Sequence, residues 1–147
     1  MYSKVYIDTN IALDLLLDSR PFSNETKNLL LNYGENTIFT INNLSLSNIF
    51  YVGAFQNKQY KETFSFLKQI ETAPKWQIYD LTKNDRLFCY DFMSKNIGSD
   101  FEDLLQYIAA KNSHCGAIIT NDANFPKLDI SLIRTNPSME NYLPAKP

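Results

Sequence analysis

Short β-branched or aromatic runs alternate with stretches of helical spacing along the whole chain. Strands that alternate with helices imply a mostly parallel sheet with helices on both faces. The expected strands are Lys4 to Ile7, Thr37 to Ile41, Trp76 to Leu81, Ala117 to Thr120 and Ser131 to Arg134. The first helix follows the capping triplet Asp8-Thr9-Asn10 and runs through Leu17, where Arg20-Pro21-Phe22-Ser23 breaks it. Ser23 is expected to cap the second helix, which ends near Gly34. Helical spacing returns from Asn43 to Phe55 and from Tyr60 to Ile70. Thr82 is the expected cap of a helix through Phe92, and Ser99 with Glu102 reads as a capping box for a helix to Asn112. Pro137 is expected to start a final helical turn. With 147 residues and no linker or repeat, the expectation is one domain with a sizeable core.

Composition narrows the chemistry. Only 4 glycines are present, too few for a conventional glycine-rich phosphate loop. One histidine, His114, leaves little for a Ser-His-Asp triad, and Cys89 and Cys115 lack CxxC spacing. A reducing cytoplasm is the simplest reading of that cysteine usage. The formal charge of -2 gives no support for tight non-specific DNA binding. No run approaches about 18 uninterrupted apolar residues, so no membrane span is expected.

What remains is acidic. Asp8 follows the apolar run Val5-Tyr6-Ile7, Asp103 lies in the first turn of a helix, and Asp122 follows Ala117-Ile118-Ile119-Thr120. Residues beyond the carboxyl ends of parallel strands converge on one crevice. Carboxylates gathered there repel one another unless a cation lies between them, which points to metal-assisted chemistry on a phosphate. The three are expected to lie close enough to share a metal cluster. Each also has an ordinary reading alone: Asp8 as a helix cap, Asp103 as a dipole-stabilising acid, Asp122 as an Asx-turn. Asp100 shares a helix face with Asp103, Thr9 and Asn10 are placed to orient Asp8, and Arg20 could reach a phosphate nearby.

Three segments carry a resemblance. Tyr6-Ile7-Asp8-Thr9-Asn10-Ile11-Ala12-Leu13-Asp14 resembles the opening of a PIN domain (PilT N-terminus domain). Asp100-Phe101-Glu102-Asp103-Leu104-Leu105-Gln106 resembles its central acidic helix, and Ile118-Ile119-Thr120-Asn121-Asp122-Ala123-Asn124-Phe125 its T-x-D-x-x-F segment. The resemblance covers almost the whole chain. It implies a three-layer α/β/α sandwich with a mostly parallel central sheet and a Mg²⁺- or Mn²⁺-dependent nuclease site. Small members of this kind include VapC-like toxins of toxin-antitoxin pairs, which cut RNA in the cytoplasm. By motif match, Asp8, Asp103 and Asp122 take the acidic metal positions, with Asp100 a further candidate. Thr120 would orient the site, and Asn124 stands where another acid often falls. The resemblance places Asn48 where the family has a glutamate, and its side chain should then point toward Asp8 and Asp103. The resemblance also implies an antitoxin protein partner and a homodimer, and the aromatic-rich helices between Asn43 and Ile70 could expose apolar surface for it.

Two other readings compete. A catalytically weak or inactive PIN-like module binding RNA or a partner protein is favoured by Asn48. A phosphoacceptor receiver domain needs an aspartate ending a central strand and a lysine ending a later one, and the strand ending in Asn42-Asn43 does not supply the first.

Overall fold

The computed structural model describes residues 2–145. Five strands form one parallel sheet: β1 (Lys4–Ile7), β2 (Ile38–Asn42), β3 (Trp76–Tyr79), β4 (Ala117–Ile119) and β5 (Ser131–Ile133), in the order β3-β2-β1-β4-β5. Six α-helices connect them: α1 (Thr9–Leu16), α2 (Ser23–Asn32), α3 (Asn43–Phe50), α4 (Tyr60–Thr72), α5 (Lys83–Lys95) and α6 (Phe101–Asn112). The expected α/β sandwich with a parallel central sheet is therefore observed.

Strand β1 is apolar on both faces because it lies in the middle of the sheet. Val5 and Ile7 pack with α1, α2 and α4 residues such as Ile11, Leu30 and Ile70, while Tyr6 packs with Leu104, Ile108 and Phe125 on the other side. Each fully buried aliphatic side chain contributes roughly 1.5–3 kcal/mol, so two such clusters clamp β1 from both faces. The registers Val5↔Phe39 and Val5↔Ala117 align the carboxyl ends of β1, β2 and β4. The chain winds outward from β1 through β2 to β3, then returns to the other side of β1 with β4. That reversal makes the β1/β4 boundary a topological switch point, where crevices open at the carboxyl edge.

Local details depart from expectation in four places. Ser23 is the first residue of α2 rather than its cap, and its hydroxyl donates to the Asp14 carbonyl at 2.7 Å. The Ser99–Glu102 capping box does not form. Asp100 caps α6 by accepting from the Asp103 N–H at 3.0 Å, and Ser99 bonds back to the Asn96 carbonyl. A reciprocal box does form at Thr82 and Asp85 on α5. Pro137 starts no helix. Asn136 Oδ1 accepts from the Ser138 N–H, and Tyr142 pairs antiparallel with Leu132, which draws the chain back to the sheet edge.

The fourth departure lies between Asn43 and Phe55. The expected single helix is α-helical only to Phe50, and Tyr51–Gln56 is a π-helix. The reason sits at Gly53. A Cβ there would lie 2.7 Å from Leu16 Cδ2 and closer still to Thr63 Oγ1. Backbone thus packs directly on α1 and α4. Such π segments are rare and recur at functional sites.

Candidate active site

Asp8 is the residue immediately after β1, and its N–H extends the sheet by donating to the Ile119 carbonyl at 3.1 Å. Its backbone carbonyl starts α1, accepting from Ile11 and Ala12, but its side chain makes no capping bond. The carboxylate turns inward instead. Thr120 Oγ1 donates to Oδ2 at 2.6 Å, and Gln106 Nε2 donates to Oδ1 at 3.0 Å. Burial holds the Asp8 carboxyl above the usual range. Those two hydrogen bonds oppose the rise, and nearby Asp122 adds to it.

Asp103 enters from the first turn of α6 and Asp122 from the loop after β4. Asp8, Asp103 and Asp122 line one cavity of about 250 Å³, together with Thr9, Asn10 and Asn48. Burial pushes Asp103 up to about 8, helped first by hydrogen bonding to and repulsion from Asp122, then by Asp100 and Asp8. Among the described residues, no group of three histidine, cysteine, aspartate or glutamate side chains is placed to hold a metal ion as it stands. The expected shared cluster is therefore a shared cavity without a closed cage. Burial and the neighbouring acids thus disfavour a full charge on Asp103.

The other candidate residues fall around this cavity with different jobs. Thr120 bridges two of the acids, since its oxygen also accepts from the Asp122 N–H at 3.1 Å. Among the described residues, Thr9 bonds Gln106 and Ser45 rather than the Asp8 carboxylate. Its N–H donates to Gln106 Oε1 at 3.1 Å and its hydroxyl to Ser45 Oγ at 2.7 Å, so it fixes the amide that fixes Asp8. Asn10 is exposed on the rim, bordering this cavity and the next. Asn48 lines the same cavity. Asn124 is exposed, and its N–H donates to Asp122 Oδ1 at 2.8 Å. Asp100 is exposed and occupied as the α6 cap. Arg20 is paired with buried Asp14 at 2.6 Å, with a second contact to the Asn10 carbonyl. It borders an adjoining cavity that shares Asn10 and Asp122 with the first.

Two residues carry more of the site than their sequence context suggests. Gln106 is buried and bonds both Asp8 and Thr9. Its only sequence signal is its place on the Asp103 face of α6. Arg134 is buried at the end of β5, where Nη1 donates to the carbonyls of Thr120 at 2.8 Å and Asp122 at 2.9 Å. Burial lowers its pKa, while Asp122 and Asp8 work to raise it, so a cation sits behind the acids. A basic residue ending a strand beside an acidic crevice is the signal that could have found it.

The model of the PIN domain matches residues 5–131. The chain belongs to the PIN domain family. Among curated PIN relatives, Ribonuclease VapC1 of Aquifex aeolicus (strain VF5) is 27% identical over 144 residues, covering 95% of each chain. The PIN fold is shared with solved structures. VapC20 of Mycobacterium tuberculosis, described as a sarcin-ricin loop cleaving toxin, has a TM-score of 0.70 at 10% identity, over 82% of this chain and 92% of that one. VapBC2 from Rickettsia felis, solved with a DNA fragment from its promoter, has a TM-score of 0.64 at 20% identity, over 89% and 98%.

Proposed function

We propose that this PIN domain is a metal-dependent endoribonuclease and the toxin of a toxin-antitoxin pair, acting in the cytoplasm. The observation that carries the reading is the convergence of Asp8, Asp103 and Asp122 on one cavity at the switch point of the sheet. The likeness to Ribonuclease VapC1 over nearly the full length supports RNA as the substrate.

The donor set is all oxygen, which suits a hard divalent cation such as Mg²⁺ or Mn²⁺. Asp8, Asp103 and Asp122 would hold it, with Asn48 offering a neutral carbonyl oxygen. When bound, such a cation activates water for attack on a phosphodiester and offsets charge on the phosphoryl oxygens. The protein supplies the rest. Thr120 and Gln106 fix the Asp8 carboxylate in one orientation, and Arg134 fixes the loop that carries Asp122. Asp103 must release its proton before it contributes a full charge, so acid conditions oppose loading of the site. The decisive test is purified protein against a mixed RNA pool with Mg²⁺ or Mn²⁺. Fragments should form, and chelator should prevent them. An intact pool under all divalent conditions would sink the nuclease reading.

Asn48→Glu is expected to tighten Mn²⁺ binding, because ligand charge is a main determinant of affinity for hard cations. Calorimetric titration of both proteins checks this. Equal affinities would remove Asn48 from the metal position, or show that Asp100 already fills that role.

The same reading includes an antitoxin protein and a homodimer. VapBC2 and the exposed side chains Leu44, Phe50 and Phe64 support it. Light scattering is expected to give twice the chain mass of 17.0 kDa. A monomer at high concentration would rule out the homodimer.

A further inference from the structure

The cavity that holds the acids has a single aromatic ring in its lining, Tyr51. That ring is 51% exposed. It does not fill the core. It stacks on Phe55, with centroids 5.3 Å apart and planes 17° from parallel, and Phe55 is 64% exposed. Two stacked rings therefore stand in water, one of them in the lining of a cleft whose other walls are mostly polar. Exposing both is costly, since each could bury well over 100 Å² in a core.

The backbone makes the arrangement specific. Tyr51 is the first residue of the π-helix and Phe55 lies four residues on within it. Gly53, between them, is pressed against Leu16 and Thr63. The segment's inner side is thus clamped to α1 and α4, which leaves the two rings outward. Beyond Phe55 the chain turns through Lys58, held at φ 57°, and enters α4 with Lys61. Both lysines are exposed, and neither is in an ion pair among the described residues. Stacked aromatic rings with flanking cations match the chemistry of single-stranded nucleic acid, whose bases stack while its phosphates seek positive charge.

We propose that Tyr51, backed by Phe55, is a stacking platform for an unpaired base next to the phosphate held at the carboxylates. A paired base cannot present its face to the ring, so the base that docks there is unpaired. This rests on the ribonuclease reading. Lys58 and Lys61 receive the strand as it leaves the platform.

The test uses a short oligoribonucleotide carrying 2-aminopurine, whose fluorescence is quenched by stacking. Binding is measured on the Asp8→Asn protein and cleavage on the otherwise native one. Quenching is expected with Tyr51 present, retained in Tyr51→Phe, and lost in Tyr51→Leu with about tenfold weaker binding. In cleavage, Tyr51→Leu is expected to raise KM about tenfold at nearly unchanged kcat, and annealing a complementary strand should abolish cutting. Unchanged quenching and KM in Tyr51→Leu would overturn the platform while leaving the nuclease reading intact. So would equal cleavage of the annealed duplex. Quenching at Tyr51 without cleavage by the native protein would overturn the nuclease reading instead, and the platform's place beside a cut with it. If Tyr51→Leu changes the mass seen by light scattering but not RNA affinity, the rings belong to a protein interface and the proposal is wrong.

Discussion

Asp8→Asn and Asp103→Asn are each expected to reduce divalent-metal-dependent RNA cleavage to the level seen with chelator, while the protein stays folded. Asp8 accepts from Thr120 and Gln106, so an amide in its place satisfies one of those donors and turns its own NH₂ toward the other. The lost bond is offset by no longer burying a carboxylate, and stability should change little. Asp103 differs because its folded pKa is raised to about 8. The folded state then holds a proton that the unfolded chain gives up near pH 4. Stability from this group is full below the unfolded value and is lost as pH rises through about 8. Asp103→Asn should remove that decline, so the variant should melt higher than the native protein at alkaline pH in chelator. Melting curves across this range, beside RNA cleavage rates, test both halves. Native cleavage rates in both variants would reduce these aspartates to structural acids.

Arg134→Ala is expected to cost roughly 3 kcal/mol of stability and most of the cleavage activity. The guanidinium satisfies two carbonyls, Thr120 and Asp122, and is itself buried. Truncation strands those acceptors, and a buried unpaired group costs about 1–3 kcal/mol. The loop carrying Asp122 would also lose the clamp that sets its height over β4. Arg134→Lys keeps the charge but lacks the planar fork, so it should recover only part of either loss. Urea unfolding and initial cleavage rates measure the two effects. Native values for both in Arg134→Ala would show that the clamp is idle.

The sheet was readable because each strand is a short apolar run set between helical patterns, and alternation alone fixes a parallel order. The same reasoning brings residues 8, 103 and 122 to one edge, since each lies at the end or start of an element. What was hidden depends on choices between near neighbours. Ser99 and Asp100 are both good caps, and one residue decides which carboxylate remains free of that task. The α-to-π change at Tyr51 depends on how closely Gly53 meets Thr63 and Leu16, a distance that helical spacing does not encode. Gln106 looked like one more polar residue on a helix face. Its importance comes from partners 98 and 97 residues away. Arg134 left only the faint signal of a basic residue closing a strand, as its acceptors are main-chain carbonyls.

The hydrogen bond from Thr120 to Asp8 joins residues 112 apart in sequence. A polypeptide growing from its N-terminus makes Asp8 before the rest of this domain, and has no Thr120 to hold it, and no Arg134 to steady the next loop, until nearly the entire fold has been synthesised. The unfinished chain leaves the ribosome with its acids unassembled. Whatever chemistry the acids perform is therefore withheld until the last strand is in place.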